Sequence, residues 1–290
     1  FFFKQKTAYE IKECDWSSDV CSSDLTAPIV AFPALRAAEK SGSRRLRTAL
    51  IGCGWWGNNI LREAMASGAC EITALCDVDS RQFEPTLRNV REGTGGSPRL
   101  FKDYRELLDQ AKPEIAIVAT PDHWHALPAI AAMRAGAHVY VEKPIAHTIG
   151  EGQAMVAAAR ETGRIVQVGT HRRISPHNVS AREFIRGGRL GDLGMVRCFV
   201  NYGGEREQPR ANTPAPAELD WDFWCGPAPL RPHNAGIHPR GFRHYLDFAN
   251  GMLGDWGIHW LDQVLWIDRK STRLNSSHIP LSRMPSSAWK

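Results

Sequence analysis

The chain has no apolar run approaching the roughly 18 residues a membrane-spanning helix needs, so no span is expected. Its 7 cysteines include no CxxC pair, which removes the usual signature of a zinc site or a dithiol redox centre. Cys53, Cys70 and Cys76 fall in or beside apolar segments and read as buried thiols. A net charge of +5 is small, and Lys and Arg are scattered rather than gathered into a stripe with interleaved aromatics, which argues against a nucleic-acid partner. What is present is ordinary for an α/β protein: 43% hydrophobic and 23% charged residues, over a length of 290 that suggests about two domains.

The most informative segment is Gly52-Cys53-Gly54-Trp55-Trp56-Gly57, which follows the apolar run 48–51 and precedes helical spacing over 58–67. A second strand is expected at 71–76, and Asp77 stands at its end. In such a strand-turn-helix the first glycine permits the tight turn, the second lets the backbone approach a pyrophosphate, and the third lets helix and strand pack closely. The helix N-terminus then faces the phosphates, and the acidic residue can accept the ribose hydroxyls. Apolar runs at 115–119, 138–141 and 165–168 read as strands covered on both faces. The stretches 104–110, 126–135 and 150–162 read as helices, with Gly136 and Gly163 at helix C-caps. The fold class expected is therefore α/β: a Rossmann doubly wound parallel sheet over residues 46–172, followed by an incomplete α+β substrate domain over 173–267. In that second part a helix is expected at 178–186, a strand starting near Met195, a packed loop at 221–227 and a last helix at 253–267.

The ends read differently. Residues 1–25 repeat Ser-Ser-Asp at 17–19 and 22–24 without helical or strand periodicity, and resemble translated sequencing-adapter read-through; residues 268–290 resemble the same. Residues 26–45 read either as a linker or as the remnant of an export signal.

Four motifs in order, the glycine turn, Thr120-Pro121-Asp122-His123-Trp124-His125, Glu142-Lys143-Pro144 and the run from Gly254 to Asp262, resemble the glucose-fructose oxidoreductase / inositol dehydrogenase / MocA family over about residues 46–267. The resemblance implies an NAD(P)-dependent oxidoreductase acting on a sugar, polyol or related hydroxyl compound. It also implies a cis peptide before Pro144, and a parent protein that is homo-oligomeric through the sheet of its second domain. Exported bacterial members favour a periplasmic location, with the cytoplasm as the other reading. A hydrolase that uses bound NAD transiently is a second reading, and a non-catalytic nucleotide-binding fragment a third.

Within that frame Gly52, Gly54, Trp55, Trp56, Gly57, Asp77, Thr120, Pro121, His125, Glu142 and Lys143 are the expected cofactor-binding residues. Lys143 closely follows a strand, at the edge where ligands of such sheets sit, and could stabilise negative charge on a substrate oxygen or be a solvated lysine. Asp255 and His259 are four apart and would share one helix face. The resemblance assigns His259 the proton-accepting role, for which an ordinary pKa near ~6.5 suits it. It assigns Asp255 substrate binding or orientation of the imidazole; capping and simple burial are the alternatives. Arg240, Arg243 and Tyr245 could bind sugar hydroxyls or a carboxylate, or lie exposed on the surface. Asp77 favours NAD, because a carboxylate repels a 2′-phosphate, while Ser80 and Arg81 leave NADP open. His123 and His125 form an HxH after a strand, but no further ligands lie at suitable spacing, so no metal is expected. His125 lines the nicotinamide-ribose region by resemblance, or packs on the helix that follows. One of Trp55 and Trp56 could cover the nucleotide, or either could pack on the second domain.

Overall fold

The computed structural model describes residues 44–199 and 210–267. The adapter-like ends and nearly all of the 26–45 segment lie outside the described residues, as do residues 200–209.

Six strands, β1 (Leu46–Ile51), β2 (Cys70–Cys76), β3 (Arg99–Phe101), β4 (Ile115–Val118), β5 (His138–Val141) and β6 (Val166–Val168), form one sheet in the order β3-β2-β1-β4-β5-β6. Every pairing is parallel. The strand order reverses between β1 and β4, and the crevice there, beyond the strands' carboxyl ends, is where such sheets bind ligands. All four residues of β4 are buried because helices cover both faces. One face packs Ala49, Ile51, Val118 and Val139 against α4 (Ala126–Arg134) and α5 (Ile149–Thr162). The other packs Leu50, Leu75 and Ile117 against α1 (Trp55–Ala66) and α2 (Phe83–Thr94).

Local signals set the boundaries. Thr148 and Glu151 form a reciprocal capping box at the start of α5, and Gly163 ends it in the left-handed region at φ +64°. Asp103 caps α3 (Tyr104–Ala111) by accepting from the Arg105 amide. Helix α1 starts three residues earlier than the spacing predicts, so both tryptophans lie in its first turn. The sequence reading does not reach α2 or β3, the latter a three-residue edge strand with two exposed residues.

Beyond the sheet, α6 (Pro176–Arg186) is followed by no strand as far as residue 199, so the strand expected near Met195 is not formed in the described residues. The expected loop at 221–227 contains a short helix, α7 (Trp221–Cys225), capped by the Asp220 carboxylate on the Phe223 amide at 2.9 Å. Trp221, Trp224, Phe242 and Phe248 form a third apolar cluster. The last helix is not uniform either: a π-helical turn (Leu253–Gly257) precedes α8 (Ile258–Ile267). No described helix is long and apolar enough to cross a membrane.

Candidate active site

The turn between β1 and α1 shows why each glycine is there. Gly52 has φ +96°, and a β-carbon on it would lie 2.6 Å from the Ala119 carbonyl oxygen. On Gly57 a β-carbon would come within 2.0 Å of the Gly52 carbonyl oxygen, so only glycine lets α1 sit this close. Gly54 is different: its β-carbon would meet nothing within 4 Å. The empty space lies at the N-cap of α1, which has no side-chain cap and no acidic residue in its first turn. That leaves amide groups facing a cradle of the kind a diphosphate fills.

Asp77 at the end of β2 accepts from the Cys53 amide at 2.7 Å through Oδ2 and from the Asp79 amide at 2.9 Å through Oδ1. Burial pushes its carboxyl up to about 6, against which these backbone bonds pull. Asn58 holds the same turn from inside, donating to the Cys53 carbonyl at 2.7 Å and to Thr86 Oγ1 at 2.9 Å. Ser80 and Arg81, which left the cofactor choice open, are engaged elsewhere. Arg81 donates to both oxygens of buried Asp79, at 2.7 and 2.8 Å, and Ser80 Oγ to the Glu218 carbonyl at 3.3 Å.

The glycine turn and the later motifs line one cavity of about 830 Å³. Thr120, Pro121, His125, Glu142, Lys143, Asp255, His259 and Arg243 all reach it, together with Trp55, Trp56, Asp77 and Arg240. Lys143 Nζ donates to the Asp255 carboxylate and, at 3.0 Å, to the Asp255 carbonyl. Arg243 Nε stands 3.2 Å from the other carboxylate oxygen. The π-helical turn brings Asp255 here: its wider winding carries the carboxylate and the main-chain oxygen to one ammonium.

His259 is 7% exposed and its Nδ1 has no hydrogen-bond partner. Burial, then the charge of Lys143, push its pKa down to about 3, with His171 and Arg172 adding to the effect and Asp255 opposing it. The imidazole is therefore neutral at ordinary pH, with a free nitrogen, but its proton affinity lies well below the ~6.5 of an ordinary histidine. Asp255 accepts from Lys143 and pairs with Arg243, and among the described residues no hydrogen bond joins it to His259.

His125 is buried, its Nδ1 2.6 Å from the Pro144 carbonyl and its Nε2 2.8 Å from the Thr120 carbonyl, so it ties two site loops together. His123 is also buried, bonded through Nε2 to the Trp224 carbonyl at 2.9 Å. Among the described residues no group of three or more His, Cys, Asp or Glu could hold a metal ion. The Lys143-Pro144 peptide is cis.

Tyr245 is not brought to the cavity: it packs on the third apolar cluster, with the Arg231 guanidinium 5.3 Å from its ring. His171 and Asp122 are among the cavity residues that the sequence reading does not name as site residues. His171, after β6, has its ring 4.7 Å from that of His259, and its Nδ1 is also unpartnered. Asp122 is 2% exposed with Oδ2 unpartnered, and burial raises its carboxyl while His125, Arg243 and Lys143 oppose the shift. Asp122 lies inside the motif at 120–125, but its burial comes from residues distant in sequence. His171 sits in a short 3-10 turn with no periodicity to mark it.

Sheet order, glycine cradle and the carboxylate at the end of β2 define a dinucleotide-binding protein of the Rossmann type. The chain belongs to the Gfo/Idh/MocA oxidoreductase family: residues 46–170 match the model of its NAD-binding Rossmann fold, and residues 194–278 that of its C-terminal alpha/beta domain. The second match runs past Ile267 into the stretch read as adapter-like. Inositol 2-dehydrogenase of Salmonella typhimurium is 29% identical over 153 residues, 52% of this chain and 44% of that protein. D-glucoside 3-dehydrogenase of Escherichia coli is 28% identical over 169 residues, 54% of this chain and 46% of that protein. Glycosyl hydrolase family 109 protein 1 of Akkermansia muciniphila is 26% identical over 175 residues, 58% of this chain and 36% of that protein. The chain thus spans under half the length of these curated relatives. An NAD-binding protein from Listeria innocua shares the fold, with a TM-score of 0.54 at 21% identity over 78% of this chain and 56% of that one.

Proposed function

We propose that this chain comes from an NAD-dependent oxidoreductase that moves a hydride between the cofactor and a sugar, polyol or related hydroxyl substrate. The observation that carries the reading is one cavity lined both by a glycine cradle open at Gly54 and by a lysine, a carboxylate and a neutral histidine. NAD, when bound, supplies the hydride acceptor or donor. Gly52, Gly54 and Gly57 let the amides of the α1 N-terminus reach its diphosphate, and Asp77 keeps lone pairs for ribose hydroxyls beside its two backbone bonds. Thr120, Pro121, Glu142 and the brace made by His125 shape the wall between the two ends.

Lys143 donates to the substrate oxygen and stabilises its negative charge; Asp255 holds the ammonium in position. His259, neutral and on the cavity wall, accepts the hydroxyl proton. NAD rather than NADP follows from Asp77 and from Arg81, whose guanidinium is already spent on Asp79. Relatives named as inositol and glucoside dehydrogenases support the substrate class. The family resemblance further supports a parent protein that is exported and homo-oligomeric, which sizing and periplasmic fractionation of the parent would check.

The test is Lys143→Ala in the full-length parent, assayed over a panel of inositols and glucosides. Turnover is expected to fall about 100-fold or more, as for loss of a charge-stabilising donor, while NAD affinity changes little. Unchanged turnover removes Lys143 from the chemistry, and aglycone release without net NADH replaces the dehydrogenase reading with the hydrolase.

A further inference from the structure

We propose that Arg240 closes over the glycine turn from the second part of the chain and gives the cofactor's diphosphate a cationic contact, held in place against Trp55. The proposal rests on the NAD reading and adds a contact that lies outside the nucleotide-binding sheet.

Three observations converge. The Arg240 guanidinium stands 5.6 Å from the centre of the Trp55 ring. Trp55 is the first residue of α1 and is 58% exposed, so its indole projects from the helix N-terminus into the cavity mouth instead of the core. Secondly, Arg240 has no carboxylate partner among the described residues. Arg81, Arg173, Arg231 and Arg243 each have one, and Arg243, three positions on, turns to Asp255 beside Lys143. Thirdly, the space in front of Gly54 is open and the α1 N-terminus carries neither a side-chain cap nor an acidic residue.

An uncompensated guanidinium, uncapped helix amides and an open cradle on one cavity suit an anion with oxygens on two phosphorus atoms. Such an anion accepts from the amides on one side and from the planar guanidinium on the other. The indole face supplies the surface on which the guanidinium rests when no anion is present. Arg240 follows a segment already pinned to the sheet domain, because His123 and Trp124 both bond the Trp224 carbonyl, at 2.9 Å each. A bound diphosphate would therefore be gripped from both parts of the chain at once.

Calorimetry on the whole chain with ADP-ribose tests this, since that probe carries the diphosphate without nicotinamide, and adenosine, followed by NMR, serves as the probe without phosphate. Arg240→Ala is expected to weaken ADP-ribose by about tenfold or more, the loss of one charge-assisted hydrogen bond, and to leave adenosine unchanged. Arg240→Lys is expected to fall between, because an ammonium keeps the charge but not the planar fork. The wild-type affinity should also decline more steeply with salt than that of the alanine variant. Equal ADP-ribose affinity in wild type and Arg240→Ala overturns the clamp alone, and so does a loss shared equally by adenosine. If the wild-type chain binds no ADP-ribose, the cofactor reading falls and the clamp with it.

Discussion

Three glycines within six residues differ in what a methyl group would meet, and that difference separates folding from binding. Gly57→Ala forces a β-carbon to within 2.0 Å of the Gly52 carbonyl, so α1 must shift, and stability should drop by about 1–3 kcal/mol. Gly54→Ala meets nothing in the protein, so its thermal midpoint should stay near wild type while NAD affinity falls at least about tenfold. Paired melting and titration curves check both; similar melting losses in the two variants would contradict the assignment of Gly54 to the ligand. Asp77 gives a pH test. With its carboxyl near 6, it is ionised at pH 8 and mostly protonated at pH 5, and only the ionised form keeps full acceptor capacity for ribose hydroxyls. NAD should therefore bind about tenfold more weakly at pH 5 than at pH 8, and Asp77→Asn should flatten that dependence. A flat wild-type profile would contradict the ribose role. Spacing sufficed to single out these residues because glycine geometry and strand-end position are local properties. The low proton affinity of His259 was not legible, since it comes from burial and from Lys143 and His171, which are distant in sequence.

At the scale of elements, the strands buried on both faces and the helices capped by glycine or a capping box stood out in the sequence. The π-helical turn at Leu253–Gly257 did not. A four-residue spacing predicts that Asp255 and His259 act on one another, whereas the wider turn delivers Asp255 to Lys143 instead. The short helix α7 was hidden among Trp, Pro and Gly because it gains its order from docking. His123 and Trp124 project from the turn after β4, and the Trp124 Nε1 donates to the carbonyls of Phe223 at 3.1 Å and Trp224 at 2.9 Å. Trp124→Phe keeps most of the packing and deletes that donor, while the Trp224 carbonyl keeps its bond to His123 Nε2. A cost of about 1–2 kcal/mol is expected, read as faster amide exchange in residues 221–225 with β1 unchanged. Equal protection in both proteins would show that packing and the His123 bond hold α7 without the Trp124 donor.

For the whole molecule, two parts of the chain share the cavity walls: the sheet domain contributes the cradle and Lys143, and the later residues contribute Asp255, His259, Arg240 and Arg243. Exposed apolar side chains accumulate on the later part, at Met195, Val196, Phe199, Leu261 and Leu265. The one strand expected there, near Met195, rested on local texture, which carries strand pairing poorly because pairing is a long-range property. The proposed cofactor contacts, by contrast, all lie in the described residues. Titration of the whole chain with NAD and with NADP is the most direct measurement. We expect one NAD per chain and a markedly weaker response to NADP, with Asp77→Ala losing far more affinity for NAD than for NADP; no binding of either dinucleotide, or equal binding of both that Asp77→Ala leaves intact, would contradict a nicotinamide-dinucleotide site at this turn.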